Sequence, residues 1–326
     1  MHEQEWRPSA SLEMIRLRAH LLRRLRQFFL DRGVLEVETP LLSSAANSDP
    51  HIESFASRYR GVGDLDNSHL YLHTSPEFAM KRLLAAGSGP IYQLCKTFRN
   101  GESGRLHNPE FTMLEWYRPG FDHHQLMDEV DALLRYLMDG QRDLATTRRT
   151  SYRELFQREL NIDPFNASEE VLELCAERNG IEIVAKQMGC DEWLDLLMSH
   201  LIEPRLGING PDFIHDYPAS QASLARVSGD PAVAERFELY LDGVELANGF
   251  HELTDAEEQR RRFSADLDAR GKTGLEQAAL DERLLAALSS GLPDSAGVAL
   301  GFDRLIMAVT GVKTIDEVIT FPIARA

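Results

Sequence analysis

The 326-residue chain has only three cysteines, Cys95, Cys175 and Cys190, far apart and odd in number. That excludes a disulfide framework and a cysteine zinc site, and makes a reducing cytoplasm the expected home. No apolar run approaches the ~20 residues a membrane helix needs, so no membrane partner is expected. Met1 to Ser11 carries Glu3, Glu5 and Arg7 where a secretory signal would be apolar. Positive charge is scarce: 35 Lys and Arg against 52 Asp and Glu leave a net charge of −17. Such a balance disfavours sequence-independent nucleic-acid binding, which is driven by phosphate neutralisation. The local exception, Arg16, Arg18, Arg23, Arg24 and Arg26, reads as the solvated face of a helix. Internal repeats and low-complexity tracts are also missing.

What is present is ordinary globular material. Apolar residues make up 43% of the chain, enough for a sizeable core. Apolar spacing predicts a helix over 10–32, ended by Gly33, then a strand over 34–40 stopped by Pro40. A polar loop to about 69 follows, then a strand at 70–73 and a helix at 76–86. Strands are predicted at 91–98 and 111–117, joined by a long polar connection that suggests a working loop on an antiparallel pair. Further helices are expected at 124–139, 255–271, 275–290 and 302–310, with short helices through 151–205 and strands at 213–217, 223–227 and 297–300. Phe237–Leu241, Asp242-Gly243 and Val244–Ala247 form a strong hairpin signal, because Asp-Gly suits a two-residue type I′ turn. Strands and helices do not alternate regularly. The pattern therefore reads as α+β with a mainly antiparallel sheet flanked by helices, one domain over 1–326 with a helical insertion at about 140–210.

Three decoys fail on inspection. Gly271-Lys272-Thr273 ends like a phosphate-binding loop, but the opening glycine position holds Asp266. His251-Glu252 begins like a zinc-protease helix, but the second histidine position holds Asp255. His123-His124 is expected to flank a helix rather than bind metal, since adjacent helical side chains point apart.

Three segments carry chemistry. Phe98 to Tyr117 sets Arg99 at a strand end, then a polar loop, then a returning strand with Phe111. A guanidinium can grip phosphate bidentately and an aromatic can stack on a base. Spacing alone leaves this open against a surface hairpin with a core phenylalanine. In the hairpin, alternation puts Glu238, Tyr240, Glu245 and Ala247 on one face, with the two glutamates diagonal at ~7 Å, within reach of one divalent ion. Spacing alone favours a solvent-facing sheet side, where two glutamates cost little. In Gly297 to Leu305, Gly301 allows close backbone approach to a ligand. Arg304 sits in a first helical turn, where a cation needs an anion to offset the helix dipole.

In this order, the three segments resemble the motifs of class II aminoacyl-tRNA synthetases, with 20–40 similar to the dimerising motif 1, 98–117 to motif 2 and 297–305 to motif 3. Thr74-Ser75-Pro76-Glu77, His107-Asn108-Pro109-Glu110-Phe111-Thr112, Glu245-Leu246-Ala247-Asn248-Gly249-Phe250 and Phe321-Pro322 resemble lysyl-tRNA synthetase. Motif 1 begins almost at the N-terminus, leaving no room for the anticodon-binding OB domain of those enzymes. Ser75 and Ala299 stand where they usually have alanine and glycine. The chain thus looks like the stand-alone lysyl-tRNA synthetase paralogues that attach β-lysine to elongation factor P.

The resemblance implies an ATP-dependent ligase that works with Mg²⁺ through a lysyl- or β-lysyl-adenylate, with elongation factor P rather than tRNA as acceptor, in a homodimer. It implies Arg99 and Arg304 as catalytic residues. It implies ATP contacts from Arg99, Asn100, Gly101, Glu102, His107, Asn108, Phe111, Glu245, Leu246, Gly301 and Arg304. Substrate contacts would come from Ser75, Pro76, Glu77, Tyr117, Asn248, Glu252 and Ala299, and Mg²⁺ contacts from Glu238 and Glu245. The family's motif 2 commonly reads Arg-Asn-Glu, whereas this chain reads Arg99-Asn100-Gly101-Glu102. Either Glu102 takes the glutamate's role or the chain does without that interaction. Two competing readings are a truncated tRNA-charging enzyme and a non-catalytic regulatory paralogue.

Overall fold

The computed structural model describes residues 6–63, 68–181, 188–273 and 279–326. Helix α1 (Leu12–Leu30) starts at Ser11, whose hydroxyl accepts the Met14 N–H at 3.1 Å. It ends at Gly33, in the left-handed region at φ +64°. One face of α1 buries Leu21, Leu25, Phe28 and Phe29, with Phe29 stacked on Tyr92 at 4.4 Å. Each such side chain contributes about 1.5–3 kcal/mol on full burial. Not all its arginines are solvated: Arg18 pairs at 2.5 Å with the buried Asp303.

Strand β1 (Leu35–Glu36) is much shorter than the expected 34–40 strand, because this edge segment pairs only at Leu35 with Ile91 and Glu36 with Tyr92, in parallel. Strands β2 (Leu42–Ser43), β3 (Ala56–Arg58) and β4 (His69–Leu72) make a small second sheet. Two of these strands lie in the span expected to be loop, part of which (64–67) lies outside the described residues. Helix α2 (Glu77–Ala85) leads to β5 (Ile91–Phe98) and β6 (Glu110–Pro119), an antiparallel pair as expected. Helix α3 (His123–Met138) follows a capping box at Asp122.

Strand β7 (Arg148–Ser151), not anticipated, opens a segment that continues in α4 (Tyr152–Leu160), α5 (Glu169–Arg178), α6 (Cys190–Leu197) and two further turns to Arg205. β8 (Asp212–Pro218) follows. The expected strand at 223–227 is broken by a turn, with Ser223 left-handed at φ +49°, and is reduced to a single bridge from Ala225 to Glu252 and the two-residue strand β9 (Val227–Ser228).

Strands β10 (Val233–Leu241) and β11 (Val244–His251) form the expected hairpin. Asp242 and Gly243 both have positive φ, +55° and +73°, as a type I′ turn requires. Tyr240 faces Glu245, but Leu239 then faces Ala247, so Leu246 is a bulge residue. The bulge corrects one expectation. Ala247 turns into the core, and Asn248 takes its place opposite Glu238.

Helix α7 (Ala256–Thr273) carries the phosphate-loop decoy in its last turn. Helix α8 (Glu282–Gly291) starts later than expected, because the Asp281 carboxylate caps it there and residues 279–281 are not helical; residues 274–278 lie outside the described residues. Strand β12 (Ser295–Gly301) runs directly into α9 (Phe302–Thr310).

The large sheet runs β1-β5-β6-β12-β11-β10-β8-β7, antiparallel except at its two edges. Helices α1, α3 and α9 cover one face through a core that includes Leu114, Trp116, Leu239, Ala247, Val298 and Leu300. Alternation sends the intervening side chains to the opposite face. Among the described residues the strands form these two sheets and no separate OB-type barrel.

Candidate active site

One cross-strand row organises the face of the sheet opposite that core. Gln93 on β5 pairs with Glu115 on β6, Glu115 with Ala299 on β12, Ala299 with Asn248 on β11, and Asn248 with Glu238 on β10. Positions as distant in sequence as Glu115 and Ala299 thus become neighbours at strand spacing, about 5 Å.

At one end lies a buried acidic cluster. Ser75 and Tyr117 donate to the two oxygens of Glu115, both at 2.7 Å. The Ser75 hydroxyl also accepts the Glu77 N–H at 3.0 Å, and Pro76 is the residue before α2. Lys81, one turn along α2 from Glu77, lies 2.7 Å from Glu77 and 2.5 Å from Glu252. Burial alone would discharge Lys81, but Glu252 and Glu77 outweigh it and hold its pKa above that of an ordinary lysine. Burial, then the charge of Glu77, push Glu115 up to about 8. Burial raises Glu252 to about 7, with Lys81 opposing. Three carboxylates against one ammonium leave two negative charges uncompensated once all are ionised. Gly297 permits this crowding: a Cβ there would meet the Tyr117 ring at 2.3 Å and Glu252 Oε1 at 2.4 Å.

At the other end, Arg99 leaves β5 with its guanidinium over the Phe111 ring, 5.2 Å from the centroid. Its Nε is buried and has no hydrogen-bond acceptor among the described residues. Gly101 is left-handed at φ +78°, and Glu102 reaches back to Arg99 at 3.6 Å, so the inserted glycine turns the loop and Glu102 faces the arginine. Arg304 donates to the Glu245 carbonyl at 3.0 Å, meets His107 at 2.6 Å and lies 3.6 Å from the Glu245 carboxylate. That carboxylate is the anion its position at the start of α9 calls for. Burial and then Arg304 lower the His107 pKa, so its imidazole is neutral at neutral pH.

Four expected nucleotide contacts have other commitments. Asn108 donates to the Glu110 carbonyl at 2.5 Å and accepts the Ile323 N–H at 3.0 Å. Asn100 is tied to Glu53 at 3.0 Å. The Leu246 side chain is in the core, leaving only its backbone toward the opposite face. Gly301 has an ordinary φ of −72°, and a Cβ there would come no nearer than 3.6 Å to Arg304, so no contact within the chain demands a glycine.

Glu238 accepts from Tyr217 at 2.7 Å, Tyr240 at 2.6 Å, Arg236 at 2.5 Å and Asn248 at 3.4 Å. Burial and then Glu238 raise Glu245. A third carboxylate, Glu203, joins them through Tyr240 at 3.2 Å, and burial followed by Glu238 and Glu245 raises it to about 7. This all-oxygen, mutually repelling set fits a hard divalent cation. It borders a cavity of 400 Å³ walled by Glu192, Asp195 and Met198, which gives the helical segment a place beside the site.

Sequence reasoning missed Lys81, Glu115, Glu203 and Gly297. Lys81 carried a signal, its helical i,i+4 spacing from Glu77. Glu115 carried one too, sharing a strand face with Tyr117. Glu203 carried none.

Comparison with known proteins shows the family. The family model for tRNA synthetases class II (D, K and N) matches residues 4–325. The chain is 52% identical over 324 residues to a Proteus mirabilis protein named elongation factor P–(R)-beta-lysine ligase, covering 99% of this chain and 98% of the relative. It is 51% identical over 323 residues to an Enterobacter protein of the same name and 50% identical over 323 residues to one from Pectobacterium atrosepticum, with 98% of each chain covered in both cases.

Proposed function

This chain belongs to the class II tRNA synthetase family (D, K and N), and within it we propose a ligase that activates (R)-β-lysine with ATP and transfers it to a lysine side chain of elongation factor P. The observation that carries this reading is the cluster of Glu77, Glu115 and Glu252 around Lys81. Its two uncompensated negative charges match the two ammonium groups of β-lysine, or of lysine. Buried charges of this kind persist only when paired. The names of the full-length relatives favour the β isomer and the protein acceptor.

In this reading the substrate carboxylate attacks the α-phosphorus of ATP, the bond to the β-phosphate breaks, and pyrophosphate leaves. Arg99 brings the two anions together with donors that include its free Nε. Such preorganised donors act on charge as it develops. Phe111 offers its ring to adenine, and Arg304 with His107 closes the far end of the phosphates. Glu238 and Glu245 would hold Mg²⁺, which neutralises phosphate charge. In the second step the acceptor amine attacks the activated carbonyl carbon, the bond to AMP breaks, and an amide remains.

A homodimer and a cytoplasmic location complete the proposal. Leu30, Leu35 and Leu42, around the segment similar to motif 1, are 70%, 56% and 48% exposed, an apolar surface that a second copy would cover. No helix among the described residues is long and apolar enough to cross a membrane. The test is which acceptor receives labelled β-lysine, elongation factor P or tRNA, with Arg99→Ala as the inactive control.

A further inference from the structure

Away from the catalytic row, where α3 starts beside β8, four titratable side chains converge. His123 and His124 open α3 behind the Asp122 cap, and their rings lie 4.1 Å apart rather than diverging. His215 and Asp216 come from β8, opposite the register shift between Ala234 and Phe237 on β10. Asp216 is left-handed there, at φ +57°, a strained conformation for a residue other than glycine. Irregularities of this kind re-aim a strand side chain, and this one brings the Asp216 carboxylate against His123 and His215.

We propose that His123, His124 and Asp216 form a binding site for a divalent transition-metal ion of the zinc class, with His215 as the positioning residue for Asp216. Their ligand atoms all lie within 4.8 Å of one another. His123 Nε2 is 3.2 Å from Asp216 Oδ1. Two ligand atoms each about 2.0–2.1 Å from a tetrahedral zinc are separated by about 3.3 Å, so this pair already has the spacing of one coordination edge. His215 Nδ1 is 2.9 Å from the other carboxylate oxygen, Oδ2. That is the outer contact that fixes a ligating carboxylate. His123 is buried, and among the described residues its Nδ1 has no hydrogen-bonding partner, so their contacts satisfy one of its two nitrogens. His124 is exposed, which leaves the site a path to solvent and a position for water. Imidazole with carboxylate suits zinc, nickel or copper better than magnesium. The neighbouring group of His123, Glu235 and His251 is a poorer candidate, because His251 is committed at Nδ1 to Glu235 and at Nε2 to Asp294.

The ion would bolt the start of α3 to β8 and serve no step at the catalytic row. The experiment uses the full chain stripped with EDTA and kept in excess Mg²⁺, so that Glu238 and Glu245 do not compete. Co²⁺ is added and its visible ligand-field absorption followed, with Zn²⁺ binding measured by calorimetry. The expected result is one equivalent bound, an intense tetrahedral-type spectrum, and a melting temperature raised by Zn²⁺. His124→Ala, at an exposed position, and Asp216→Asn, which keeps a residue tolerant of the left-handed region, should each weaken binding at least about tenfold and remove the Zn²⁺-dependent rise. Glu245→Gln should leave all three readouts unchanged. No bound equivalent, or binding that survives both variants or is lost in Glu245→Gln, overturns the site.

Discussion

The Lys81 ammonium lies 2.5 Å from the Glu252 carboxylate and 2.7 Å from that of Glu77, and Lys81 and Glu252 are each only 1% exposed. The chain thus carries a resident lysine inside the cluster proposed to recognise a lysine-like substrate. Lys81→Met would strand the buried Glu252 carboxylate and the partly buried one of Glu77. Breaking a buried pair by removing one partner costs about 3–5 kcal/mol. Urea unfolding at pH 8 should show a loss of that order, shrinking at pH 5 as the carboxylates take up protons. A loss under about 1 kcal/mol at pH 8 would show that the pair is not structural.

The pH response of the empty pocket has a definite sign. Glu115 at about 8 and Glu252 at about 7 are raised above an ordinary carboxylate. Their contribution to stability is therefore fully present below about pH 4 and is lost as pH rises through 7 to 8. A substrate that brings two ammonium groups into the cluster reverses this by binding the ionised forms. The rise in melting temperature given by β-lysine should therefore grow from pH 6 to pH 9, with protons released on binding. Glu115→Gln should flatten the upper part of that profile. A substrate effect that is constant over this range would contradict the charge assignment.

Glu238 and Glu245 are not equivalent metal ligands. Glu238 is held by four donors, whereas among the described residues the Glu245 carboxylate meets the Arg304 side chain alone, at 3.6 Å. Glu245→Gln should therefore raise the Mg²⁺ concentration needed for ATP use with little change in stability. Glu238→Gln should do both, because it also disturbs Tyr217, Tyr240 and Arg236. Unchanged Mg²⁺ dependence in both variants would remove the hairpin from metal binding.

Ala299 sits in the row between Glu115 and Asn248, so its methyl projects beside the carboxylate that accepts from Ser75. Moving an ammonium by one carbon along a substrate shifts it by about 1.5 Å. One methyl in such a pocket discriminates by ~1–3 kcal/mol, roughly 10- to 200-fold. Ala299→Gly should improve kcat/KM for α-lysine relative to β-lysine. An unchanged ratio, with both values reduced alike, would assign the methyl to packing.

Most elements were legible from periodicity and turn chemistry, and the reasons for the misses are local. The β10–β11 hairpin could be read because Asp242-Gly243 demands one turn type. The bulge at Leu246 could not, since one extra residue in a ladder leaves no mark in composition. That residue decided that Asn248 rather than Ala247 faces Glu238. The β2–β3–β4 sheet is built from strands of two to four residues, too short to show alternation. In the site, Arg99, Tyr117, Glu238 and Glu252 stood out by motif. Lys81 and Glu115 carried only local spacing signals, and what set them apart is the burial that makes their charges expensive. The convergence of His123-His124 with His215-Asp216 joins segments 93 positions apart, which no local pattern reports.

The central claim is that β-lysine activated in this pocket is delivered to a protein. The most direct measurement incubates the enzyme with ATP, Mg²⁺ and labelled (R)-β-lysine, and offers unmodified elongation factor P or bulk tRNA in parallel. The account predicts label joined to elongation factor P by an alkali-stable amide at a lysine side chain, dependent on Arg99, with α-lysine a poorer donor and tRNA unlabelled. Label on tRNA as an alkali-labile ester, with elongation factor P left unmodified, would contradict it.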